Sequence, residues 1–547
     1  MLACDLQLFV RDYFLNQRSF LRTDWLLLAS FCAFFFFFGL SYFGLVGADE
    51  PRYAQIASEM LNRYDWVTPL LGGKPWLEKP PLYYWQAMIA YGIFGVSDWA
   101  ARLPSAVDAT FLVIAVYLFS RRFIPRLELD SALMAASAAG IIGFARAAST
   151  DMPLAAMFTI AMLAWYVWYD TGSKWYLAAF YIFMGFGALA KGPVAPFLGA
   201  VILIIFAVVQ RGFLIIQRTL WLPAILLFLL VTLPWYIAVQ IRNPEFFRVF
   251  ILQHNLARFG TNLYHHKEPF WYFVPVTLLG LLPWTALTLV SIFRIRRTSA
   301  AKQADEPHNT LSCFLLIWLI VPIVFFSISQ SKLPGYVLPA IPAGVLLAAL
   351  YVQRTTREAG RPRIWLAVCQ SILAAAAIVP ALMIQYLVLQ HRLPWGGGAA
   401  ISVILAALLA VGLTFTLRSR FGFAGLRFTL VPVALGVVAV LRLGAPALDA
   451  ALSARPIANE ISAMEKQRLP LAVFQVSREV EFGLAFYRNE VVQRYESGEI
   501  PTSEHLLVAP AATQVAIAKA VPGRRVSYLG SFAPQGLDYY WVAAASR

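Results

Sequence analysis

Apolar segments of about 20 residues recur along this chain from Trp25 to Leu443, and no other feature constrains its folding as strongly. A helix rises about 1.5 Å per residue and the hydrocarbon core of a bilayer is about 30 Å thick, so each segment has the length of one crossing. The segments fall near 25–47, 101–120, 130–148, 152–170, 174–190, 194–210, 219–240, 271–293, 311–328, 336–352, 364–386, 399–417 and 428–444. They amount to about thirteen spans. Composition agrees, since 60% of the 547 residues are hydrophobic and 13% charged, whereas soluble domains carry about a quarter of charged residues. The first segment is too long for a signal-peptide core and has no small-residue cleavage site before Asp49, so it reads as a retained span.

Basic residues orient the spans. Short loops that stay in the cytoplasm collect Lys and Arg. Arg11, Arg18 and Arg22 fall on one side together with Arg121, Arg122 and Arg126, then Arg211 and Arg218, then Arg294, Arg296, Arg297 and Lys302. Arg354, Arg357, Arg361, Arg363, Arg418, Arg420 and Arg427 continue the series. An odd count then gives a cytoplasmic N-terminus and an exported C-terminus. The net charge of +15 is spent on orientation, which argues against a nucleic-acid partner. Cys32, Cys313 and Cys369 lie in apolar stretches and Cys4 near the N-terminus, so the exported side carries no disulfide framework. That side holds two loops, about 48–100 and 241–270, and the tail after Leu443. In the tail, 471–476, 505–510 and 539–542 read as strands and 453–466 and 513–521 as helices. The expected architecture is a polytopic α-helical membrane domain over 1–444 and a small soluble α/β domain over 445–547.

Ionisable groups gather on the exported side. Asp49 ends the first span, Arg146 and Asp151 flank the end of the third, and Lys191 closes the fifth. Charges at one membrane depth are costly unless they pair or line a cavity. Arg52, Lys79, Arg102, Arg146, Lys191, Arg258 and Lys332 run against the orientation trend. Snorkelling to ordinary headgroups explains any one of them; a lipid-linked phosphate bound at the headgroup plane explains all seven. Three of the six histidines, His254, His265 and His266, lie in the second exported loop. Glu78 with His254 could hold a divalent ion such as Zn²⁺, Mn²⁺ or Mg²⁺, although no local zinc-type spacing is present. Ser329 to Tyr336 breaks a helix with Lys332, Pro334 and Tyr336 at the membrane surface, as a gating segment or a plain turn would.

These residues carry a resemblance. Asp49-Glu-Pro-Arg-Tyr-Ala54, Asp65-Trp-Val-Thr-Pro69, Glu78-Lys-Pro-Pro-Leu82, Arg102-Leu-Pro104, Thr150-Asp-Met-Pro153 and Ala190-Lys-Gly-Pro193 occur in order. Gln253-His254 with Arg258-Phe259, His266 to Tyr272, and Ser331 to Pro334 with Tyr336 follow. Together they resemble the bacterial lipid A 4-amino-4-deoxy-L-arabinose transferases, within the GT-C glycosyltransferases related to protein O-mannosyltransferases. The resemblance implies thirteen spans with a periplasmic C-terminal α/β domain, undecaprenyl phosphate as sugar carrier, its phosphate near Lys79 and Arg258, and a metal near Glu78 and His254. It places Asp49 and Asp151 at the sugar and Tyr336 at the lipid cavity. Two positions depart: Trp76 stands where the arabinose transferases commonly carry Tyr, and Pro51 replaces a polar residue.

The expected reaction is inverting transfer of the sugar from undecaprenyl phosphate to lipid A or another periplasmic glycan. Lys79 and Arg258 would stabilise the departing phosphate, with Arg52, Tyr53, Arg102, Lys191, Lys332 and Tyr336 completing the binding site for phosphate and sugar. An ionised phosphate acceptor needs no strong base, whereas a hydroxyl acceptor would call on Asp49 or Asp151. A protein O-glycosyltransferase and a lipid-linked-sugar flippase are the alternatives; a flippase would place its charges near the midplane and show related halves. A monomer is expected.

Overall fold

The structure, a computed structural model, describes residues 23–257, 268–300, 307–357, 364–376, 379–380, 383 and 422–545. In chain order its helices are α1 (Thr23–Phe37), α2 (Asp49–Asn62), α3 (Leu82–Phe94), α4 (Asp98–Phe123), α5 (Glu128–Ala136), α6 (Ala139–Ala145), α7 (Asp151–Thr171), α8 (Lys174–Lys191) and α9 (Val194–Val209). They continue as α10 (Leu214–Thr219), α11 (Leu222–Arg242), α12 (Arg248–Ala257), α13 (Phe273–Gly280), α14 (Thr285–Ala300), α15 (Pro307–Ile328), α16 (Ile341–Arg357), α17 (Ile364–Ala375) and α18 (Leu426–Leu452). Helices α19 (Arg455–Met464), α20 (Arg478–Arg488) and α21 (Gln514–Ala520) accompany a C-terminal sheet. Among the described residues, 6 helices are long and apolar enough to cross a membrane, or up to 8 if each of two bent pairs is one span. The chain is a multi-pass helical membrane protein. The expected span 399–417 and part of 364–386 lie outside the described residues.

Three sequence expectations need correction. The first span ends at Phe37, not near Gly47, and the chain turns at Gly39 with φ of 70°. The segments 130–148 and 271–293 are each broken: α5 and α6 meet at 59° and α13 and α14 at 115°. Hydropathy reports the apolar total of such a segment and is blind to a bend within it. The stretch 48–100 is not a plain loop, because α2 and α3 bury Tyr53, Ala54, Ala57 and Met60 against Tyr83, Tyr84, Ala87 and Tyr91. At 14 and 13 residues they fall below the ~20 that a hydropathy scan seeks.

Between the turn and α2 the backbone is held residue by residue. Arg102 of α4 is fully buried, and its guanidinium donates to the carbonyls of Leu40 (2.7 Å), Phe43 (2.8 Å) and Gly44 (2.9 Å). Its remaining two donors reach Glu50 at 3.2 and 2.7 Å. All five guanidinium N–H groups are thereby used. Glu50 also accepts from the backbone N–H of Val46 and of Ala148. Arg455 donates to the carbonyls of Ser41 and Tyr42, Asp449 accepts from the N–H of Gly44, and the Tyr487 hydroxyl accepts from the N–H of Leu45.

A short hairpin then aims the next segment. Strands β1 (Leu70–Leu71) and β2 (Lys74–Pro75) pair antiparallel through Gly72 and Gly73, whose φ values of 61° and 74° suit a tight two-residue turn. The buried carboxylate of Glu59 in α2 accepts both glycine N–H groups at 2.8 and 2.9 Å. This pins the hairpin to α2 and sets the direction in which Trp76, Glu78 and Lys79 leave it.

The C-terminal sheet comprises β3 (Leu471–Val473), β4 (Gln493–Arg494), β5 (His505–Pro510), β6 (Val526–Phe532) and β7 (Leu537–Val542) in the order β4-β3-β5-β7-β6. Strand β3 runs parallel to β4 and β5, and β7 antiparallel to β5 and β6. Helix α18 runs on through residues 444 and 445 to Leu452, so the chain leaves it eight residues beyond the expected boundary.

Candidate active site

Helices α7 and α8 form a hairpin that turns at Gly172, where φ is 70°. Their lengths of 21 and 18 residues are nearly equal, so the start of α7 and the end of α8 lie at one level. Asp151 therefore meets Lys191. The two form an ion pair, the carboxylate favoured at a helix N-terminus and the ammonium at a C-terminus. Lys191 also lies 4.6 Å from the centre of the Tyr336 ring. Tyr336 is buried in the 3₁₀ turn Pro334–Ala340, packed against Phe326 and Phe273 at centroid distances of 5.0 and 6.3 Å.

Gly335, which sequence reasoning passed over, closes this group. A Cβ there would lie 2.5 to 2.9 Å from the Asp151 carboxyl atoms. Backbone and carboxylate touch only because the residue is glycine. The signal available in the sequence was Pro334-Gly335-Tyr336, which reads as an ordinary turn.

A second group forms at the start of α2. Arg52 pairs with Asp49 at 2.6 Å, with side-chain exposures of 12% and 53%. Its guanidinium carbon lies 5.0 Å from the Tyr53 ring centre and 5.4 Å from that of Trp76. Burial opposes the Arg52 charge, but Tyr53, Asp49 and Glu78 outweigh it and raise its pKa above the ordinary arginine value. Burial first, then Asp49, and to a lesser extent Asp151, push the Tyr53 phenol upward, so it stays a neutral donor. Tyr53 thus feels both carboxylates and links the two groups. Glu78 faces His254 of α12, with Oε1 to Nε2 at 3.7 Å. Lys79 beside it is half-buried.

Three polar atoms around this second group are buried with no hydrogen-bond partner among the described residues: Nε of Arg52, Nε1 of Trp76 and the hydroxyl of Tyr84. The first two can only donate, and Tyr84 is among the largest fully buried side chains. Buried donors left unmade cost about 1–3 kcal/mol each, and an acceptor-rich ligand such as a phosphate or a sugar would satisfy them.

Two expected residues stand apart. Arg102 is not a phosphate ligand, because Glu50 and three carbonyls occupy every donor it has. Lys332 is buried and donates to the Ser329 carbonyl at 2.6 Å, pairing with no carboxylate among the described residues. Arg258, His265 and His266 lie outside the described residues. For a metal, Glu78 and His254 would supply two ligands, and no group of three His, Cys, Asp or Glu residues that could hold one occurs among the described residues. Catalytic zinc takes three protein ligands, so this pair alone does not complete such a site.

Residues 22–250 match the family model described as dolichyl-phosphate-mannose-protein mannosyltransferase. The chain is 34% identical to the undecaprenyl phosphate-alpha-4-amino-4-deoxy-L-arabinose arabinosyl transferase of Pseudomonas paraeruginosa, over 61% of this chain and 60% of that relative. To the protein of the same name in Aeromonas hydrophila it is 30% identical, over 66% of this chain and 67% of the relative. Its fold is similar to that of ArnT from Cupriavidus metallidurans in a crystal structure bound to undecaprenyl phosphate. The TM-score is 0.78 over 94% of this chain and 97% of that one, with 24% identity, so this likeness speaks to the fold.

Proposed function

We propose, for a chain that belongs to the family of undecaprenyl phosphate-alpha-4-amino-4-deoxy-L-arabinose arabinosyl transferases, that it transfers that amino sugar or a related one from undecaprenyl phosphate to lipid A or another periplasmic glycan. The observation that carries the reading is the set of unpartnered buried donors on Arg52, Trp76 and Tyr84 beside Glu78 and Lys79. A phosphate or sugar supplies the missing acceptors.

In the proposed reaction an acceptor oxygen attacks the anomeric carbon from the face opposite the carrier. The bond from that carbon to the carrier phosphate breaks, its electron pair stays on the phosphate oxygen, and configuration inverts. Lys79, with Arg258, offsets the charge that develops on the leaving phosphate. Arg52 and Tyr53 donate to the phosphate or the sugar hydroxyls. Asp49, half-exposed and already paired with Arg52, has a free face for the ammonium of a 4-amino sugar, whereas Asp151 is engaged by Lys191 and orients that lysine. With an ionised phosphate acceptor no general base is needed. Glu78 and His254 are the residues that would hold a divalent ion, which would supply further charge neutralisation; no step here depends on one.

The same reading includes about thirteen spans, a cytoplasmic N-terminus, a periplasmic active site with a periplasmic α/β domain after α18, an inner-membrane location and a monomeric state. The test is incubation of purified chain in lipid nanodiscs with labelled undecaprenyl-phosphate sugar and lipid A. Label appearing on lipid A, and lost in Lys79→Ala, is the expected result. Label that crosses the bilayer without transfer, or passes only to protein, would overturn it.

A further inference from the structure

Two apolar cavities lie on either side of α6. One, of about 440 Å³, is lined by Phe43, Ile142, Gly143, Leu373, Val437 and, at its polar end, Arg146. The other, of about 340 Å³, is lined by Gly140, Phe144, Val276, Gly280, Pro334 and Val337. Both have the size of a ligand pocket, about 300–1,000 Å³. The second borders the turn that carries Gly335 and Tyr336, where Gly335 touches the Asp151 carboxylate, and so adjoins the Asp151–Lys191 pair. The first ends at Arg146, five residues before Asp151.

Arg146 is the distinctive group. It donates to the carbonyls of Phe35 and Phe38 at 3.1 and 2.7 Å, which leaves three of its five N–H donors without a protein acceptor among the described residues. It pairs with no carboxylate among the described residues. Glu50 borders the same cavity, but Arg102 and two backbone N–H groups occupy its carboxylate. An apolar chamber capped by a cation without a counter-ion complements a hydrocarbon chain with an anionic head.

We propose that the larger cavity seats an acyl chain of the acceptor lipid, and that Arg146 holds that lipid's phosphate. This rests on the transferase reading above and deepens it. A transferase that joins two lipids needs two apolar seats whose heads converge; α6 separates the two cavities, and the segment leaving it runs directly into Asp151. The smaller cavity, lined by Pro334 and Val337 of the turn that carries Tyr336, is then the donor's.

Gly143 makes a clean test, because a Cβ there would meet nothing within 4 Å. A leucine side chain at that position fills cavity without pushing on backbone. Full-length chain in nanodiscs is titrated with lipid A, with dephosphorylated lipid A and, separately, with undecaprenyl phosphate, and retained lipid is read by native mass spectrometry. Gly143→Leu and Arg146→Gln should each weaken lipid A retention by about tenfold or more while undecaprenyl phosphate is held as by the parent. The parent should hold dephosphorylated lipid A no better than Arg146→Gln holds lipid A, and millimolar inorganic phosphate should not displace the lipid. Parent-like retention of lipid A by both variants, loss of undecaprenyl phosphate instead, or displacement by free phosphate would each overturn the assignment. If the expected binding pattern appears and no sugar is transferred, the catalytic reading fails and the lipid site stands.

Discussion

Two ion pairs near the site, one buried and one half-buried, do different work, and their partners show why. Arg102 spends its planar fork on Glu50 and three carbonyls, so it fixes the backbone before Asp49. A lysine there would carry the charge without the fork. Arg102→Lys is expected to lower the thermal unfolding midpoint in detergent markedly, since three ammonium donors replace five and each buried acceptor left unmade costs about 1–3 kcal/mol; an unchanged midpoint would refute the bracing role. Lys191, by contrast, presents one ammonium to Asp151 and to the Tyr336 ring. Gly335→Ala pushes a methyl group into that carboxylate. A displacement near 1 Å at such a site can cost about 100-fold in rate. We expect kcat to fall on that order with donor KM little changed, measured on a protein whose unfolding midpoint matches the parent. A loss confined to KM would place Gly335 in binding only.

At the scale of elements, strand β5 carries a pH-dependent contact. His505 is buried; its Nδ1–H donates to the Ser503 carbonyl at 2.9 Å, and Nε2 accepts from the Tyr495 hydroxyl. Burial, the largest influence, lowers its pKa below the ordinary 6.5 despite the raising effect of the Ser503 bond. The fold therefore prefers neutral imidazole. Its contribution is complete above about pH 6.5 and is lost as pH falls through the lower folded value. Hydrogen exchange of 505–510, corrected for intrinsic rates, should quicken between pH 7 and pH 5 in the parent and lose that dependence in His505→Gln. This strand was legible in the sequence because it is a continuous apolar run, as were α7, α8, α9 and α11, which keep one direction over a full apolar segment. The bends in α5–α6 and α13–α14 were not, since they depend on packing. Helix α2 was missed because charged residues dilute its apolar face, and α3 because at 13 residues it is too short for a hydropathy scan. Of the site, the charged residues were legible as exceptions to orientation. Their pairings were not: sequence could not tell that Arg102 is consumed internally while Arg146 keeps donors without an acceptor among the described residues.

For the whole molecule, the question is why a sheet beyond the last described span should matter to chemistry at α2. Arg455 pairs with Asp98 and Asp449 at 2.8 and 2.9 Å and donates to the carbonyls of Ser41 and Tyr42. Tyr487 accepts from the N–H of Leu45, and Phe486 joins the core of α2 and α3. The C-terminal part thus clamps the segment that ends in Asp49 together with Arg102. Loosening it should act on the site without touching it. Arg455→Ala with Tyr487→Phe is expected to speed hydrogen exchange across 40–48 and to lower kcat, while retention of undecaprenyl phosphate changes less. Lys74→Ala is the control. It breaks another link to the C-terminal part, the Lys74–Glu499 pair at 2.9 Å, but that pair is 78% and 44% exposed and holds no part of 40–48; exposed pairs contribute about 0–1 kcal/mol. If both variants slow transfer equally, general loosening explains the effect; if only the first does, the C-terminal part is a brace for Asp49.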